Sequence, residues 1–207
     1  MPFGLKNAGA AYQRLMDRVF SSQIGRCMEV YVDDMVVRSR SVEEHVRDLA
    51  EVFCQVRKYN MRLNPAKCTF GVPAGKFLGF LLTTRGIEAN PDKCRTILEM
   101  RSPQKLKKVQ RLVGRLTSLS RFIPKLAERI KPIVRIMKKS AGTDWDDQCE
   151  QAFNEVKSIL ISPPVMGRPD SGHALQLFLA ISEDTVSSAL VQEQPEFKLV
   201  YFVSRTL

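Results

Sequence analysis

The stretch Met28-Glu29-Val30-Tyr31-Val32-Asp33-Asp34-Met35-Val36-Val37 decides how this chain is read. Two adjacent acids stand between apolar, β-prone flanks, a pattern that predicts a hairpin with both acids at its tip. Burying or half-burying two neighbouring carboxylates is costly unless a cation or a donor compensates. Two readings follow. One is a plain hairpin with an Asp-Asp turn. The other is a pair of hard oxygen ligands for a divalent metal, of the kind used in phosphoryl and nucleotidyl transfer. The tetrapeptide Tyr31-Val32-Asp33-Asp34 alone does not decide between them.

Working outward, residues 8–20 read as a helix, with Asn7 as N-cap and Tyr12, Leu15, Met16, Val19 and Phe20 on one face. After the hairpin, Ser41-Val42-Glu43-Glu44 has the form of a capping box. It opens a helix to about Lys58 with Val46, Leu49, Phe53 and Val56 inward. Short strands are predicted near Met61–Leu63, Cys68–Val72 and Phe77–Leu82. Thr84-Arg85-Gly86 turns the chain into a last one at Ile87-Glu88. Asn90-Pro91 and Ser102-Pro103 read as helix starts, and Leu106, Val109, Val113, Leu116 and Leu119 form an apolar stripe. Ala141-Gly142-Thr143 reads as a linker. A helix follows from Trp145 to Ile161, with Phe153, Val156, Ile159 and Leu160 inward, and Pro163-Pro164 ends it. Leu175–Ile181, Val186–Val191 and Lys198–Val203 read as strands.

The 207-residue chain carries a net charge of +10, unevenly spread. Residues 1–140 hold 28 Lys+Arg against 12 Asp+Glu, and residues 141–207 hold 4 against 10. Between Lys93 and Lys139 there are fifteen basic residues and two acidic ones. Such clustering is the footprint of a polyanion binder, nucleic acid foremost, or else of a merely solvated basic face. Five scattered cysteines without a C-x-x-C, and two histidines, argue against a zinc site. The odd cysteine count without a signal peptide suggests reduced thiols in an intracellular protein. No apolar run approaches the roughly 18–20 residues of a membrane span.

Four motifs stand in register. They are Met1-Pro2-Phe3-Gly4-Leu5-Lys6-Asn7-Ala8-Gly9-Ala10-Ala11-Tyr12-Gln13-Arg14-Leu15-Met16, the Tyr31-Val32-Asp33-Asp34 tip, Leu63-Asn64-Pro65-Ala66-Lys67-Cys68-Thr69-Phe70, and Phe77-Leu78-Gly79-Phe80. Together they resemble the reverse transcriptase segment of a gypsy-type LTR retrotransposon polyprotein, most similar to plant elements. The resemblance covers nearly the whole chain. It implies an α+β fold in three parts: a partial palm with a small antiparallel sheet over 1–89, a basic helical thumb/connection over 90–140, and a tether plus truncated ribonuclease-H-like strands over 141–207.

The same resemblance implies roles. Asp33 and Asp34 match two of three catalytic carboxylates that hold two Mg²⁺ ions. Tyr31 and Val32 would lie against the primer end. Pro2, Phe3 and Gly4 match the turn beside the incoming deoxynucleoside triphosphate, with Phe3 open to a plain core reading. Lys67 matches a candidate proton donor to pyrophosphate or is a surface lysine. Phe77, Leu78 and Gly79 match the hairpin that grips the primer. Lys105, Lys107, Lys108, Arg111 and Arg115 would contact the backbone of an RNA or DNA template–primer duplex. Two departures temper this. The chain starts at the Pro-Phe-Gly motif, downstream of the family's third carboxylate and fingers, so little or no polymerase activity is expected of it alone. The first ribonuclease-H-like strand reads Phe178-Leu179-Ala180-Ile181-Ser182, with Ala180 at the family's catalytic Asp position, so no RNA hydrolysis is expected. The rival readings are a catalytically dead basic module that binds nucleic acid, or a structural subunit of a fuller polymerase chain.

Overall fold

The computed structural model describes residues 4–137, 144–183, 185–194 and 196–206. The architecture is α+β, as the sequence predicts, and it divides into two compact units, one ending at Gly79 and one beginning at Phe80.

In the first unit, helix α1 (Ala8–Val19) packs on the hairpin of β1 (Met28–Tyr31) and β2 (Asp34–Val37), and helix α2 (Val42–Lys58) covers the same core. That core is Met16, Val19, Phe20, Cys27, Met28, Val52 and Val56. Fully burying an apolar side chain of this size contributes roughly 1.5–3 kcal/mol. The hairpin register pairs Met28 with Val37 and Tyr31 with Asp34. Asn7 precedes α1, but its side chain makes no capping bond. The capping box of α2 forms on one side only. Ser41 accepts from the Glu44 amide at 3.2 Å, while the Glu44 carboxylate takes the Arg40 amide.

The inward face of α2 differs from the sequence reading. Val46 is exposed, and Asp48 takes the seat facing the core beside Val52 and Val56. Its burial is compensated. The Ser39 hydroxyl donates to Asp48 at 2.6 Å and the Arg26 guanidinium pairs with it at 3.1 Å. The strands expected at Met61–Leu63 and Cys68–Val72 do not form. Asn64 accepts from the Ala66 amide and starts a single 3-10 turn, Pro65–Lys67, and Gly71 at φ +63° breaks the chain direction before Pro73. Strand β3 is Gly75–Phe77.

In the second unit, β4 (Phe80–Thr83) and β5 (Gly86–Ala89) pair antiparallel. Asn90 caps helix α3 (Pro91–Leu98) by accepting from the Asp92 amide at 2.9 Å. Helix α4 (Leu106–Ser118) begins later than Ser102-Pro103 suggested, with Lys105 at its N-cap position. Short helices α5 (Leu126–Arg129) and α6 (Lys131–Arg135) lead to α7 (Asp147–Ile161), which Asp146 caps through the Cys149 amide. The inward residues of α4 are Val109, Leu112, Leu116 and Leu119, with Leu106 exposed. They share one core with Ile97, Phe122, Ile123, Ile133, Phe153, Val156 and Leu160. Strands β6 (Leu175–Ile181), β7 (Thr185–Gln194) and β8 (Glu196–Thr206) form an antiparallel meander with a bulge at Leu190/Val191. The Ala141-Gly142-Thr143 linker lies outside the described residues.

Candidate functional site

The tip of the β1–β2 hairpin is a two-residue turn, Val32-Asp33, with Asp34 opening β2. Val32 sits at φ +48°. A positive φ at the first turn residue alone belongs to the turn class that favours glycine there, and a β-branched side chain in that region is a true outlier. The strain is of the order of 1–3 kcal/mol. One side chain of α1 compensates for part of it. Gln13 Oε1 accepts from the Val32 amide at 2.7 Å, and Gln13 Nε2 donates to the Val30 carbonyl at 3.2 Å and to Asp17 at 2.9 Å. Sequence reading passed over Gln13. Its only signal was the one-turn spacing to Asp17 on a helix next to the hairpin.

Asp33 and Asp34 are both exposed, and neither carboxylate has a hydrogen-bond or ion-pair partner among the described residues. Tyr31 is 57% exposed beside them. No group of three or more His, Cys, Asp or Glu side chains among the described residues is placed to hold a metal ion. Two unpaired, adjacent carboxylates are nevertheless hard oxygen donors of the type Mg²⁺ takes, and they fit that ion as part of its roughly octahedral shell.

The remaining sequence-predicted residues fall as follows. Gly4 lies in an exposed turn at φ +94°, with open space where a β-carbon would point. Pro2 and Phe3 lie outside the described residues. Lys67 ends the 3-10 turn and is exposed. Phe77 ends β3, and Leu78 and Gly79 follow in a turn with φ of +51° and +77°. These all belong to the first unit.

The basic set belongs to the second unit. Lys105 precedes α4 as its N-cap. Lys107, Lys108 and Arg111 are exposed on it, and Arg115 is half-buried with its guanidinium against Met100. Lys93 and Thr96 of α3 with Arg115 and Ser118 of α4 line a cleft of about 240 Å³. Gly114, inside α4, has no neighbour where a β-carbon would stand. An interior glycine costs a helix roughly 1 kcal/mol against alanine, and no packing among the described residues offsets it here. Among the described residues no helix is long and apolar enough to cross a membrane.

Comparison with known proteins places this geometry. Residues 1–82 match the family model "Reverse transcriptase (RNA-dependent DNA polymerase)", and residues 145–207 match "RNase H-like domain found in reverse transcriptase". The chain is 32% identical over 219 residues to the retrovirus-related Pol polyprotein from transposon opus of Drosophila melanogaster, covering 100% of this chain and 22% of that protein. It is 27% identical over 198 residues to the transposon Tf2-3 polyprotein of Schizosaccharomyces pombe, covering 96% of this chain and 15% of that one. It thus spans about a fifth of the length of these relatives. Its fold is shared with the foamy viral protease-reverse transcriptase in complex with double-stranded DNA. The TM-score is 0.84 at 23% identity, covering 99% of this chain and 36% of that one. The same fold occurs in that protein's complex with an RNA/DNA hybrid, with a TM-score of 0.84 at 23% identity, covering 100% of this chain and 28% of that one.

Proposed function

We propose that this chain, whose residues 1–82 match the reverse transcriptase family model and whose residues 145–207 match the model of the RNase H-like domain found in reverse transcriptase, is a segment of a retrotransposon RNA-directed DNA polymerase of the gypsy-type LTR class, plant-like in its motifs. Residues 1–89 are its palm portion, 90–140 its thumb/connection, and 141–207 the tether and RNase H-like strands. The observation that carries this reading is the pair of carboxylates, Asp33 and Asp34, without a partner among the described residues, on and beside a strained turn inside a reverse transcriptase match.

Asp33 and Asp34 would hold Mg²⁺. Such ions, when bound, lower the proton affinity of a primer 3′-hydroxyl and neutralise charge on the incoming deoxynucleoside triphosphate. The chain's own residues contribute position. Tyr31 and Val32 bound the space where a primer end would lie. Gly4 leaves room for close backbone approach by the nucleotide, and Pro2 and Phe3, which precede it in the sequence, complete that motif. Phe77, Leu78 and Gly79 form the primer-facing turn, and Lys67 stands ready to give a proton to pyrophosphate. Lys105, Lys107, Lys108, Arg111 and Arg115 meet phosphates of a template–primer duplex, RNA or DNA, along α4. There Gly114 lets a ligand approach the helix backbone. The thiols fit a reducing, intracellular compartment.

The test is template–primer binding and Mg²⁺-dependent extension by Pol protein carrying this segment. Asp33→Asn and Asp34→Asn are expected to remove extension and leave duplex affinity within about twofold. Extension that survives both substitutions overturns the assignment of the two acids. Duplex affinity that does not fall with salt overturns the assignment of α4.

A further inference from the structure

We infer that Gln13 is the positioning residue of the acidic turn. By holding the Val32 amide from helix α1, it fixes the backbone that presents Asp33 and Asp34 to a divalent cation. The inference rests on the metal reading of those two acids. Three observations carry it. Val32 occupies a backbone region at φ +48° that a β-branched residue avoids. The turn's own ladder closes at Tyr31 and Asp34, so the half-buried Val32 amide finds its hydrogen-bond acceptor outside the hairpin. Gln13 holds the β1 side of the tip, accepting from the Val32 amide in the turn and donating to the Val30 carbonyl in the strand. The Gln13 amide is itself oriented by its bond to Asp17 one helical turn on. Its carboxamide therefore has a defined sense, with oxygen toward Val32 and nitrogen toward Val30 and Asp17.

The magnitudes are matched. A neutral hydrogen bond to a partly buried amide contributes about 0.5–1.5 kcal/mol, comparable to the strain at Val32. Without Gln13 the turn relaxes toward negative φ at Val32, the Val32-Asp33 peptide rotates, and the backbone no longer fixes where Asp33 and Asp34 are presented. The hairpin core, Met28, Val30, Met35 and Val37 against Met16 and Phe20, does not depend on that bond. The effect is thus expected at the site and not across the fold.

The experiment compares wild type with Gln13→Leu, Gln13→Glu, Val32→Gly, and Val32→Gly combined with Gln13→Leu. Hydrogen exchange at the Val32 amide, Mn²⁺ affinity at the turn by paramagnetic broadening of the Asp33 and Asp34 amides, and the thermal midpoint are measured on each. Gln13→Leu is expected to lose Val32 protection and about tenfold in Mn²⁺ affinity, equivalent to about 1.4 kcal/mol, with protection elsewhere in β1 and β2 kept. Gln13→Glu retains an acceptor toward Val32 but loses the donor bonds to Val30 and Asp17, so it is expected to keep only part of the affinity. Val32→Gly removes the strain, so adding Gln13→Leu to it is expected to cost less than twofold. Should Gln13→Leu fail to fold, Gln13→Asn, one methylene shorter, takes its place with the same expectation. Equal Mn²⁺ affinity with and without the Gln13 amide overturns the inference. A wild-type chain that protects Val32 but binds no Mn²⁺ overturns the metal reading beneath it.

Discussion

Gly86 lies so close to Met166 that a β-carbon on Gly86 would overlap the Met166 carbonyl oxygen. The contact is a bridge between distant parts of the chain. Ile87 and Met166 exchange two backbone hydrogen bonds, of 2.9 and 3.0 Å, so the start of β5 is tied to the segment that follows α7. Gly86 also stands at φ +141°, where an L side chain is strained. Gly86→Ala is therefore expected to destabilise the second unit by more than about 2 kcal/mol. Gly167 is the natural control. A β-carbon there meets the flexible Lys198 side chain, which can move aside, so Gly167→Ala is expected to cost under about 1 kcal/mol. Urea denaturation of the two variants checks the contrast, and equal midpoints would contradict it.

The Arg121 guanidinium lies between two rings of the same unit, 5.8 Å from the Phe80 centroid and 5.5 Å from that of Tyr201. Cation–π contacts at exposed positions contribute about 0.5–1 kcal/mol each. Arg121→Ala is expected to lower stability by about 1–2 kcal/mol, and Arg121→Lys, which keeps charge but not the flat stacking face, by less. A double-mutant cycle with Tyr201→Leu reads the coupling directly. No coupling would mean the stack contributes nothing.

Asp48 gives the first unit a pH dependence. The Ser39 hydroxyl, then the Arg26 guanidinium, hold its carboxyl below the usual range, against burial, which pushes it up. A carboxylate depressed on folding contributes stability that is complete above its unfolded value of about 3.9 and is lost as pH falls through the lower folded value. Unfolding midpoints are thus expected to hold from neutral pH to about 5 and to fall below about 4. In Asp48→Asn that fall should be shallower. An unchanged acid limb in the variant would show that Asp48 is not its source.

Much of this was legible in the sequence where local rules decide the outcome. The helix starts at Ser41 and Asn90 follow from side chains that reach amides two or three residues on, and the β6 span follows from its apolar run. The misread inward face of α2 depends on partners distant in the chain. Asp48 displaces Val46 from the inward face because Arg26, 22 residues away, and Ser39 meet it there. Ser102 does not cap α4, whose N-cap position is Lys105, three residues on. At the site, the four residues from Tyr31 to Asp34 announce themselves as a motif. Gln13 does not, since one glutamine on a helix looks like any other until the hairpin is folded against it.

The basic face of α4 makes a quantitative demand. Each phosphate neutralised by a cation releases counterions and steepens the fall of log affinity with log salt by about 0.9. Lys107→Ala with Arg111→Ala is expected to weaken duplex binding at all sequences alike and to lower the slope by about 1.8. Fluorescence anisotropy over a series of salt concentrations measures both. An unchanged slope would place the duplex elsewhere.

The RNase H-like strands should not cut RNA. Hydrolysis by metal-assisted attack needs carboxylates projecting from the sheet to hold the ions. Strand β6 offers none. It reads Leu175-Gln176-Leu177-Phe178-Leu179-Ala180-Ile181, with Ala180 registered opposite Ser187. Glu183 lies beyond the strand's end and is exposed, and Asp184 lies outside the described residues. An acid past the end of a strand does not share a face with residues inside it, so Glu183 is not a substitute for the missing group. Incubation of the chain with an RNA–DNA hybrid and Mg²⁺ or Mn²⁺ is expected to leave the RNA intact, in wild type and Glu183→Ala alike. Cleavage abolished by Glu183→Ala or Asp184→Ala would mean that the acids after β6, and not a residue at Ala180, carry the chemistry.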